Sequence, residues 1–173
     1  GGEAGARGPS ASRRHVQMIS VAEAVARIVA AFSPLDSESV TLEKAHGRVL
    51  VAPMMAGVDQ PPFAVSAMDG YALRADDAPP LRLIGAAAAG HPFDGRIGAG
   101  EAVRIFTGAV VPQGADTVLI QEDAAVENDG LTFAAPLDKG RHIRAQGEDF
   151  AKGDVLAAAG RRLTARDLAL LAA

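Results

Sequence analysis

The chain has 173 residues, a formal net charge of −4, and neither cysteine nor tryptophan. That length suffices for a sizeable core. The lack of cysteine excludes disulfides and thiolate metal sites and suits a reducing, cytoplasmic setting. The acidic balance offers no electrostatic footprint for nucleic acid, and no apolar run reaches the roughly 18 residues of a membrane-crossing helix.

Residues 1–17, rich in Gly, Ala, Ser and Arg, read as a flexible tail. Ser20-Val-Ala-Glu23 has the form of a capping box. Val21, Val25, Ile28, Val29 and Phe32 then fall on one helical face, so a helix is expected from Ser20 to Phe32, ended by Pro34. From Val40 the texture changes to short strand-like runs: Val40–Leu42, Val49–Met55, Gly70–Arg74, Leu81–Ala87, Ala102–Thr107 and Thr117–Gln121. Asn128-Asp-Gly130 between Ala124–Glu127 and Leu131–Ala134 is a hairpin signal. Val155–Ala158 reads as one more strand, and Thr164-Ala-Arg-Asp167 opens a second capped helix with Leu168, Leu170 and Leu171 as its apolar content. The fold class is therefore α+β, mostly β.

The stretch Pro61-Pro62-Phe63-Ala64-Val65-Ser66-Ala67-Met68-Asp69-Gly70-Tyr71 combines a stiff beginning, a turn-forming end and much apolar surface. A loop of this kind, anchored in a core, can hold Asp69 at a fixed point. Asp69 is then either a turn-capping residue bonded to its own backbone or a carboxylate placed for Mg²⁺ or water. Thr107-Gly108 pairs a hydroxyl with a residue whose backbone lets an anion approach closely. Arg104 either balances a phosphate or pairs on the surface. Glu148 and Asp149 are adjacent in the chain, so in extended backbone they point apart and do not act as a close pair, and Glu148 is expected to pair with Arg141 or Arg144. Gln121-Glu122-Asp123 reads as a solvated strand end. His15, His46, His91 and His142 show no metal-ligand spacing, and no Gly-rich phosphate loop occurs.

Ser66-Ala-Met-Asp-Gly-Tyr-Ala72, Arg104-Ile-Phe-Thr-Gly-Ala-Val-Val-Pro-Gln-Gly-Ala-Asp-Thr-Val-Leu-Ile-Gln-Glu122 and Ile143-Arg-Ala-Gln-Gly-Glu-Asp149 resemble, in order and spacing, signatures of the molybdopterin molybdenumtransferase family, the MoeA and gephyrin E-domain proteins. The similarity runs from about Ile19 to the last residue. It implies an N-terminal portion of such a protein. An elongated discontinuous domain (18–50 and 141–173) would carry an inserted β-rich domain (51–140).

The activity implied is insertion of molybdate into adenylylated molybdopterin, with Mg²⁺-dependent release of AMP. On that resemblance Asp69, Thr107 and Asp149 are catalytic, while Ser66, Arg104 and Gly108 contact substrate; no direct metal ligand is assigned. The resemblance further implies a homodimer with a cleft shared between protomers, a MogA-type adenylylating protein or domain as partner, and an inactive isolated fragment. The gephyrin side of the family offers the alternative of a non-catalytic dimerisation or scaffolding module. One departure is that Val65 stands where the family usually has Asn before Ser-Ala-Met-Asp, which removes an amide that could fix the loop.

Overall fold

The computed structural model describes residues 18–172, so the expected flexible tail at residues 1–17 lies outside the described residues. Two compact units result, one ending at Ser39 and one beginning at Val40. In the first, helix α1 spans Val21–Ala30. Its N-cap Ser20 accepts from the Glu23 N–H at 3.1 Å, half of the expected capping box, while the Glu23 carboxylate pairs with Arg27 one turn on. None of its residues is buried.

The second unit contains strands β1 (Met54–Met55), β2 (Val65–Ser66), β3 (Gly70–Leu73), β4 (Leu81–Ala87), β5 (Glu101–Ile105), β6 (Thr117–Ile120), β7 (Ala124–Glu127), β8 (Gly130–Phe133), β9 (Ile143–Arg144) and β10 (Val155–Ala157), followed by helix α2 (Ala165–Leu171). Six of the strands form one sheet in the order β6-β3-β5-β4-β8-β7. All neighbours are antiparallel except β4 and β5.

Consecutive residues on the central strands divide between two cores, as a period of two demands. Ala72, Val103 and Val118 join Ile97, Ile105 and Ala109 on one face, while Leu73, Ala102 and Leu119 join Leu81 and Leu131 on the other. Both faces of the sheet are thus covered by the chain's own loops and strands. The β7–β8 turn places Asn128 at φ 47° and Asp129 at φ 63°, the geometry of a two-residue hairpin turn that Asn and Asp tolerate. Gly70 sits where β3 meets β6. A Cβ there would lie 1.9 Å from the Leu119 carbonyl oxygen, so only glycine fits.

Before and after the sheet, the chain pairs with itself. Val49 bridges Arg162, β1 pairs with β10, Gln60 bridges Phe150, and β2 pairs with β9, all antiparallel. The ladder slips by one residue between Met54 and Met55. This slip and the turns between the pairings break the run into strands of two or three residues, which is why the expected continuous strand Val49–Met55 is observed only as a bridge at Val49 and the short β1. The expected strand Val40–Leu42 is replaced by a 3-10 turn over Leu42–Lys44. Those residues join no ladder among the described strands, and β-propensity without a partner makes no strand.

Helix α2 is fastened at its start. Thr164 and Asp167 form a reciprocal capping box, and the buried Asp167 carboxylate also accepts from Arg161 Nε and Nη2 at 2.8 and 2.7 Å. Arg161, followed by the Thr164 N–H and hydroxyl, pushes the Asp167 carboxyl down from 3.8 to about 2. A carboxyl lowered on folding adds stability that is fully present above its unfolded value and disappears as pH falls through the folded one. Amide exchange in α2 should therefore stay protected at pH 4 and lose protection as pH falls toward 2. Asp167→Asn should remove that pH dependence; unaltered protection at pH 2 would refute the assignment.

Candidate active site

The segment Ala64–Ser66 runs between two others. Ser66 N–H donates to Ala109 O and Val111 N–H to Ala64 O on one side, while Ala67 N–H donates to His142 O on the other. Three stretches that carry the sequence signatures therefore meet at one joint. At position 65, where Val replaces the expected Asn, the backbone is paired with Arg144 and bridged to Val110. The next turn is built by Ser66, which is 1% exposed. Its hydroxyl donates to Met68 O at 2.6 Å and accepts from Met68 N–H at 3.4 Å. Expected as a substrate contact, Ser66 instead has its hydroxyl buried and engaged in shaping the Asp69 turn.

Asp69 and Thr107 are in direct contact. The Thr107 N–H and hydroxyl both donate to Asp69 Oδ1, at 2.8 and 2.7 Å. These two bonds, the backbone one first, hold the Asp69 carboxyl below the usual range for a carboxylate, and the Arg104 charge adds to them. The Asp69 carboxylate does not cap its own turn: it reaches across to the turn that follows β5. The anion nest expected at Thr107-Gly108 is filled by the protein's own carboxylate, and the Gly108 N–H, at φ 80°, donates to Ser66 O at 2.9 Å. Asp69 Oδ2 has no partner among the described residues.

Arg104 projects from β5 opposite Tyr71. It donates to Gly70 O at 2.7 Å and to Gln121 Oε1 at 2.6 Å, and its guanidinium lies over the Tyr71 and Phe106 rings, 5.1 and 4.7 Å from their centroids. Read from sequence as balancing a phosphate or pairing on the surface, Arg104 is seen paired with protein groups.

Asp149 Oδ1 accepts from Arg144 Nη2 at 2.6 Å, and the Glu148 carboxylate lies 3.8 Å from Arg144 Nε while accepting from Ala145 N–H at 2.9 Å. The expectation that these neighbouring carboxylates point apart fails: the chain turns at 145–148, and both carboxylates reach one guanidinium. Their pull raises the Arg144 pKa, with Asp149 the larger cause. Asp149 is joined to the Asp69 loop through Arg144, which sits opposite Val65 in the β2–β9 pair. Gln121, read as part of a solvated strand end, belongs to the site: its N–H donates to Asp69 O at 3.1 Å and its side chain receives Arg104. Of the two arginines expected to pair with Glu148, Arg144 is the one observed; nothing in the sequence marks its bond to Asp149 or the role of Gln121, which depend on turns and strand register.

The fold is a β-rich module carrying an ionised Asp69 carboxylate, held by Thr107, and an acidic pair, Glu148 and Asp149, held by Arg144. Residues 19–173 match the family described as the MoeA N-terminal region, domains I and II, and the chain belongs to that family. It is 38% identical over 143 residues to the molybdopterin molybdenumtransferase of Haemophilus influenzae, with 80% of this chain and 35% of the relative covered. To its Staphylococcus aureus counterpart it is 35% identical over 162 residues, covering 89% and 39%. A crystal structure of the molybdopterin biosynthesis MoeA protein of Pyrococcus horikoshii superposes with TM-score 0.84 at 33% identity, over 90% of this chain and 44% of that one. The chain thus spans little more than a third of the length of these curated relatives. Among the described residues no helix is long and apolar enough to cross a membrane.

Proposed function

We propose that this chain forms one wall of the active site of a molybdopterin molybdenumtransferase, acting on adenylylated molybdopterin and molybdate to release AMP and active cofactor. The observation that carries the reading is the Asp69 carboxylate, fixed through one oxygen by Thr107 and open at the other. The relatives' names supply the substrate class.

The residues present fit Mg²⁺ as a partial shell. This ion takes one or two carboxylates and completes its coordination with phosphate oxygens and water, and no group of three or more acidic or imidazole ligands occurs among the described residues. Asp69 would hold it, and the bound ion would neutralise phosphate charge. Thr107 keeps the Asp69 carboxyl ionised and immobile. Arg144 holds Asp149 in a single orientation, so that this second carboxylate is available to orient a water. Molybdate and the pterin phosphate require basic residues or N–H nests, and these are assigned to the part of the protein beyond this chain, contributed across a homodimer cleft.

To test this, the intact protein is given adenylylated molybdopterin, molybdate and Mg²⁺, and AMP release and activation of a cofactor-free molybdoenzyme are followed. Both are expected, both should cease with a chelator, and the 173-residue chain alone should show neither. An intact protein that releases no AMP and activates nothing ends the reading.

A further inference from the structure

We infer that Arg104 is a positioning residue for Asp69, the keystone of a closed ring of contacts around the Asp69–Gly70 turn, and not a ligand for a substrate phosphate. The inference rests on the proposed role of Asp69, but its geometry stands independently.

The turn is gripped from two neighbouring strands, by β5 with the residues just after it and by the end of β6. The carboxylate is held by Thr107, the residue after β5 and Phe106, and the Asp69 carbonyl accepts from the Gln121 N–H at the end of β6. The Gly70 carbonyl accepts from Arg104, whose other terminal nitrogen donates to the Gln121 side chain. Arg104 thereby links the carbonyl on one side of the turn to the residue that grips the other. A planar fork suits this task because two donors leave it in fixed directions. The Tyr71 and Phe106 rings, 5.1 and 4.7 Å from the guanidinium carbon, fix the plane in which those donors lie. Tyr71 and Phe106 are themselves neighbours in sequence of Gly70 and Thr107, so the stack orients the residues beside both ends of the Asp69–Thr107 bond. A guanidinium held by a carbonyl, an amide oxygen and two rings is oriented by the protein toward the turn, whatever its remaining N–H donors meet.

The test uses Arg104→Met, which keeps length and apolar contact but has no donor, and Arg104→Lys, which keeps charge but not the fork. Amide hydrogen exchange is followed on the 173-residue chain at Thr107 and Gln121, with Val118, whose N–H donates to Arg141 O, as the internal reference. Arg104→Met should speed exchange at Thr107 and Gln121 by ~10-fold or more and leave Val118 unchanged, a local opening and not a global one. Arg104→Lys should fall between. Unchanged exchange at Thr107 and Gln121 in Arg104→Met would overturn the inference.

In the intact protein, Arg104→Met should lower kcat by roughly 10- to 100-fold at nearly constant KM, since a misplaced group costs turnover. A raised KM at unchanged kcat would instead make Arg104 a substrate ligand. Should Asp69→Asn prove fully active while the exchange result holds, the proposed function fails and the clamp survives. Normal exchange in Arg104→Met with an inactive Asp69→Asn does the opposite: the clamp fails and the proposed function stands.

Discussion

Replacing Asp69 with asparagine in the intact protein is expected to lower turnover by ~10³-fold while leaving the melting midpoint close to that of wild type. Asparagine has the same size and still presents an oxygen to the Thr107 N–H and hydroxyl, which in the native protein donate to Oδ1 at 2.8 and 2.7 Å. The turn is in addition fixed by contacts that do not involve the side chain, from Gln121 to Asp69 O and from Arg104 to Gly70 O. What the change removes is the charge, and it turns the outward oxygen into an N–H₂ group that repels a cation. Steady-state AMP release together with thermal denaturation separates the two effects. Full activity in Asp69→Asn would show that the carboxylate's charge has no part in the reaction.

Gly70→Ala should give the largest loss of stability of any single methyl group added near the site. Its Cβ would be placed 1.9 Å from Leu119 O and 2.9 Å from the carbonyl carbon behind it. Backbone atoms at the centre of a sheet cannot move aside as a flexible side chain can, so β3 and β6 must separate. Overpacking of this kind costs ~3 kcal/mol or more, equivalent for a chain of this length to a midpoint about 6–12 °C lower. Gly57→Ala is the control: its φ is ordinary for any residue and a Cβ there meets nothing within 4 Å. Equal midpoints for the two variants, by heat or urea, would contradict the close approach of β3 to β6. Because Asp69 precedes Gly70, loss of activity should accompany the loss of stability.

The sequence reveals those parts of the molecule whose causes are local. Leu81–Ala87 is a strand by its own pattern, the Asn128-Asp129 turn follows from residues that tolerate positive φ, and the Thr164–Asp167 capping box needs only spacing. Strands β2 and β9 are illegible in the sequence because two residues carry no periodicity; they exist through pairing between segments far apart in the chain. The same limit applies to the site. Asp69 and Thr107 can be singled out by resemblance, yet that one holds the other, that Arg104 grips the turn, and that Glu148 and Asp149 share Arg144 all follow from register and turns. Residue identity indicates which groups carry charge, and topology decides what each charge touches.

The polypeptide leaves its self-paired ladder at Ser66 and rejoins it at Ile143, directly across the same pair of strands. Topologically the six-stranded sheet is therefore one long excursion whose two ends are adjacent, separated by a single interstrand spacing of about 4.8 Å. With its two ends adjacent it is a natural place for the chain to accept a graft, provided that segment 109–111, which flanks β2, is kept. The Asp69 turn and the Arg144 clamp lie at its root, so exchanging the outer strands should alter what the sheet presents while keeping the carboxylates where they are.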